Sequence, residues 1–89
     1  MALRIELIPT LDHCIESAAR QELQRSADEY MQRGNKKLER KIVLLRMFLE
    51  IADFRKLRAE SERLLVEGGK VKFILTEAKG KPEYEMNVD

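Results

Sequence analysis

An apolar belt in the middle of the chain constrains its fold more than any other feature. From Ile42 to Phe54 the apolar residues are Ile42, Val43, Leu44, Leu45, Met47, Phe48, Leu49, Ile51, Ala52 and Phe54. Placed at ~100° per residue on a helix, they occupy nearly the whole circumference. Only a narrow stripe of Arg46, Glu50 and Asp53 interrupts them. A helix that is apolar on most sides is buried on most sides. In 89 residues covering surface is scarce, because a domain this short buries only about two-thirds of its unfolded surface. Either the rest of the chain wraps the belt in a monomer, or a second copy packs on it. The expectation is a homodimer whose paired central helices form a four-helix core, since symmetric dimers are the commonest oligomers. Leu44, Leu45, Met47, Phe48, Ile51 and Phe54 are then the candidate dimer or partner interface.

The belt belongs to a helical hairpin. Leu11, Ile15, Ala19, Leu23 and Ala27 form an i,i+4 row, which predicts a helix over 11–33. Thr10 is its expected N-cap, and Asp12 is placed to meet the dipole in the first turn. Gly34 suits a left-handed C-terminal cap, and Asn35 suits the next N-cap. Residues 36–67 contain no Gly or Pro and are predicted as one helix, about 48 Å long at ~1.5 Å per residue. The Gly34-Asn35 connection is short enough to lay the two helices antiparallel.

Period-two alternation flanks the hairpin. Leu3, Ile5 and Leu7 alternate with Arg4 and Glu6, which predicts a strand over 2–8, ended by Pro9. Val71, Phe73 and Leu75, then Tyr84, Met86 and Val88, alternate on either side of a Gly/Pro turn. These predict a β-hairpin with strands over 70–77 and 83–88. A lone hairpin is marginal in water, so the first strand is expected to complete a three-stranded sheet. The fold class is therefore α+β: one domain with an antiparallel helical hairpin, a small antiparallel sheet and the order β-α-α-β-β.

Composition removes several function classes. Charged residues are 37% of the chain, yet the net charge is +1 and the apolar share is 44%; a disordered chain has fewer apolar residues and more net charge. No apolar run approaches the ~20 residues of a membrane helix, and no secretory signal is read at the start. The one cysteine, Cys14, cannot form an internal disulfide, and no Cys/His spacing suggests zinc. A reducing, cytoplasmic setting is the expectation.

Three clusters could carry chemistry. Arg33, Lys36, Lys37, Arg40 and Lys41 crowd the helix-helix turn and could grip phosphates. The charge divides as −2 over residues 1–33, +3 over 34–67 and 0 over 68–89, which sums to the net +1. No aromatic lies within the basic turn to stack a base. Asp12-His13-Cys14 are residue types found at nucleophilic sites, but consecutive helix residues point ~100° apart and form no relay among themselves. Glu50 and Asp53, at i,i+3 on one helix, could hold a divalent cation; no second acidic pair accompanies them. Gly68-Gly69-Lys70 and Lys79-Gly80-Lys81 lack the spacing and strand-to-helix setting of a phosphate loop. No acid, base, nucleophile or metal set converges and no cofactor is implied. The expected function is a non-catalytic interaction or regulatory module, a homodimer that binds another protein. The alternative is a nucleic-acid-binding regulator using the basic turn. The two open edges of the sheet are further candidate contact surfaces.

Overall fold

The predicted helix over 36–67 is two helices, and the core requires it. Phe48 and Leu57 enter one core cluster at 0% and 4% exposure. They lie nine residues apart, or ~900° on an unbroken helix, on opposite sides. The computed structural model, which describes residues 3–89, resolves the conflict by ending one helix at Ile51 and starting another at Phe54. Ala52 and Asp53 between them leave helical geometry, with ψ of 139° and 87°. Asp53 caps the new helix by accepting the Lys56 N–H at 3.3 Å. A short polar side chain that bonds nearby backbone competes with helix continuation. The break also sets Phe54 edge-on to Phe48, with ring centroids 5.4 Å apart.

The elements are β1 (Arg4–Leu7), α1 (Ile15–Arg33), α2 (Lys36–Ile51), α3 (Phe54–Val66), β2 (Val71–Ala78) and β3 (Lys81–Val88). The class is α+β, as expected, with three helices in place of two. Helix α1 begins four residues later than predicted. Thr10 and His13 exchange backbone hydrogen bonds of 2.8 and 3.2 Å, and this tight turn takes up residues 10–13 as the chain leaves β1. Cys14, not Thr10, is the N-cap, and Leu11 lies outside the helix and is exposed. Ile15 and Ala19 keep their predicted place in the core. Gly34 ends α1 at φ 62°, donating its N–H to the Tyr30 carbonyl at 2.8 Å. Asn35 caps α2 by accepting the Lys37 N–H at 2.7 Å.

All three strands are antiparallel, in the order β1-β2-β3. Of the predicted strand over 2–8, position 2 lies outside the described residues and the ladder covers Arg4–Leu7. Leu7 pairs with Phe73, so Pro9 would come next opposite Val71 in the bonding direction, and proline has no N–H to give. Strands β2 and β3 run closer to their turn than predicted and leave only Lys79 and Gly80 between them. Both residues are left-handed, at φ 53° and 76°, as a two-residue hairpin turn of the I′ type demands.

The helices cover one face of the sheet. Leu3, Ile5, Leu7, Val71, Phe73 and Leu75 pack against Ile15, Ala19, Leu44, Leu45, Phe48 and Leu57. The other face is charged, with the Lys72 ammonium 2.9 Å from the Glu6 carboxylate. That hydrogen bond and the Lys72 charge, with Arg4 adding less, hold the Glu6 carboxyl below its ordinary range.

Candidate functional site

Helix α2 has two fastened sides and one bare side. Lys41 is ion-paired to Glu22 of α1. Arg40 reaches Glu77 of β2 at 3.1 Å, and the Phe48 ring stands 5.5 Å from that of Tyr84 on β3. At ~100° per residue, the side turned away from α1 carries Val43, Met47 and Ile51, with Arg40 on the same row, so this side is tied to the sheet only at its N-terminal end and is bare beyond it. Val43 is 53% exposed, Ile51 60%, and Met47 is half-buried. This row borders the β3 edge, where Tyr84 and Val88 are also exposed.

The sheet leaves β3 open on that side along its whole length. Lys70 and Asp89 exchange two backbone hydrogen bonds, of 3.3 and 3.0 Å. Counting in twos from that pair, Lys81, Glu83, Glu85 and Asn87 turn their peptide groups to β2. Pro82, Tyr84, Met86 and Val88 turn theirs outward. Proline is tolerated there because its missing N–H faces outside the sheet.

The predicted interface therefore divides. Leu44, Leu45 and Phe48 are fully buried in the core of the single chain and offer no surface to a partner. The sheet and α1 cover them, which corrects the expectation that a second copy must. Met47 and Phe54 are half-buried, and Ile51 is exposed. Tyr84, Met86 and Val88 were absent from the predicted interface, although Pro82 inside an alternating strand signals an edge.

The basic turn lies at the tip of the α1–α2 hairpin, where every residue from Met31 to Lys37 is exposed. Arg33 sits 3.7 Å from Glu29, while Arg40 and Lys41 pair with Glu77 and Glu22. Lys36 and Lys37 make no ion pair among the described residues.

The structure separates the other candidates. Cys14 lines a cleft of about 200 Å³ with Phe54, Arg55 and Arg58. The Ser17 hydroxyl, 3.3 Å from Sγ, lowers its thiol below the ordinary range. The Ser17 and Glu16 N–H groups and the Arg58 charge add to this, against a smaller opposing effect of burial. His13 lines a different cleft, of about 210 Å³, beside Glu6, Glu22 and Arg25, and its buried Nε2 has no hydrogen-bond partner. Asp12 is exposed. Glu50 and Asp53 do not share a helix, because the chain breaks between them and Asp53 is occupied as a cap. Among the described residues no group of three or more His, Cys, Asp or Glu could hold a metal ion. A larger cleft of about 360 Å³, which the sequence did not signal, opens where Pro9 leaves the sheet beside Leu65 and Val71.

Fold and surface together define a small two-layer α+β protein with a charged sheet face and a bare edge strand. The chain belongs to an uncharacterised protein family whose profile matches residues 1–88. No curated protein and no solved structure matches it. Among the described residues no helix is long and apolar enough to cross a membrane.

Proposed function

We propose that the protein is a non-catalytic interaction module that self-associates as a homodimer and, so assembled, binds another protein. One observation carries this reading: the row Val43, Met47 and Ile51 runs beside the open β3 edge, so apolar side chains and free strand peptides lie on the same side. Apolar patches of this kind mark contact sites, and a long bare edge is a template for another chain. A reducing, cytoplasmic setting suits the free Cys14 thiol.

Solution mass by light scattering tests the reading. The wild type is expected at twice the chain mass. The double variant Val43→Glu, Ile51→Glu is expected at the single-chain mass with an unchanged circular dichroism spectrum, because both side chains are more than half exposed. Surface changes of this sort shift stability by only about 0.5 kcal/mol each. A wild type that runs as a single chain would sink the homodimer.

A further inference from the structure

The outward peptide groups of β3 restrict how a second copy can pair with it. We propose that the occupant of the β3 edge is β3 of a second copy, paired antiparallel about a two-fold axis through Met86, so that two three-stranded sheets become one. This rests on the reading of the α2–β3 face as a homodimer interface.

The register follows from charge and from proline. A two-fold pairing of a strand with itself places one position opposite its own copy. Centring it on Glu85 sets two carboxylates directly opposite each other, which is destabilising, and it sets Pro82 opposite Val88 in a bonding position where it has no N–H. Centring it on Tyr84 opposes Glu83 to Glu85 twice and puts Pro82 in a bonding position opposite Met86. Centring it on Asn87 opposes Glu85 to Asp89 twice.

Met86 as centre avoids these conflicts over the body of the ladder. Met86 faces itself, and Tyr84 faces Val88 of the second copy. Each of these is an outward-directed position able to exchange two N–H···O bonds. Glu85 falls opposite Asn87, whose amide can donate to the carboxylate. Pro82 lies outside the hydrogen-bonded stretch from Tyr84 to Val88, where β3 ends, so its missing donor is not called on there. The remaining like-charge opposition, Glu83 to Asp89, also occurs twice, but at the two fraying ends of the ladder and not in its body. The same axis brings the bare side of α2 toward its counterpart, because α2 overlies β3 through Phe48 and Tyr84.

The test is a disulfide trap on the full chain with its only cysteine removed by Cys14→Ser. In that background Met86→Cys is expected to link most chains into covalent dimers under mild oxidation. Glu83→Cys is expected to link none, since the proposed register separates the two copies of position 83 by six residues along the strand, or ~20 Å, well beyond the ~7 Å a disulfide spans. Amide hydrogen exchange on the unmodified protein covers the case in which Met86→Cys disturbs folding. The Tyr84, Met86 and Val88 amides have no backbone partner among the described residues of one chain and are expected to be protected in the dimer. A two-chain mass with no link at 86 and fast exchange at those amides overturns the strand pairing and leaves the broader interface reading standing. A single-chain mass overturns both.

Discussion

Among the described residues Lys79 is the one non-glycine held at positive φ. A side chain with a Cβ pays for that conformation, and asparagine tolerates it better than lysine does. Lys79→Asn is therefore expected to stabilise the fold by about 0.5–1 kcal/mol, raising the melting temperature by roughly 2–8 °C for a chain of this size. A thermal melt followed by circular dichroism checks it, and a lower melting temperature would refute the strain. The sequence announced this turn only in part. Lys79-Gly80-Lys81-Pro82 reads as a Gly/Pro turn, and the presence of Pro82 suggests a loop that extends past it. The ladder nevertheless takes Pro82 in, because its ring is buried while its nitrogen faces away from β2. A proline excludes a residue from a central strand and not from an edge, and composition alone does not say which strand is which.

The decisive event among the elements is the break between α2 and α3. Asp53→Ala removes the cap on α3 and is expected to cost about 1 kcal/mol, seen as a lower urea midpoint with an unchanged slope. Asp53→Ser, which can cap in the same way, is expected to recover most of it. No glycine or proline marks the site, so a reading based on helix breakers runs straight through it. The signal was in the spacing. Phe48 and Leu57 cannot both face one core along an unbroken helix, and a chain of 89 residues has room for one core. The same break explains why the belt around the helix was only half a surface feature. Leu44, Leu45 and Phe48 point to the sheet and α1. Val43 and Ile51 are exposed, Ile51 on the same side as Leu44 but at the end of the helix, and which belt residues stay uncovered depends on where the other elements lie. Local rules had mixed outcomes: Gly34 and Asn35 cap the helices they were expected to cap and Leu3, Ile5 and Leu7 lie in the core, whereas Thr10 does not cap α1, because residues 10–13 form a turn of their own.

At the scale of the whole molecule, one exposed ion pair ties residues 66 positions apart: Glu6 on β1 and Lys72 on β2. Because the folded carboxyl of Glu6 sits below its unfolded value, the native state binds fewer protons there than the unfolded state. The stability it contributes is present above the ordinary carboxylate range and is lost as pH falls through the lowered value. Glu6→Gln is thus expected to flatten the acid limb of the melting-temperature profile relative to wild type. An acid limb identical in the two proteins would remove Glu6 from the account. The pairing of β1 with β2 also has a consequence in time. The hairpin of β2 and β3 closes between near neighbours in sequence, whereas β1 and its partner β2 lie far apart. At about 5–20 residues per second of synthesis, the roughly 70 residues between them take about 4–14 seconds to make. Throughout that interval Leu3, Ile5 and Leu7 exist as a greasy strand without a sheet, and the cell must keep this segment of the nascent chain from finding another edge first.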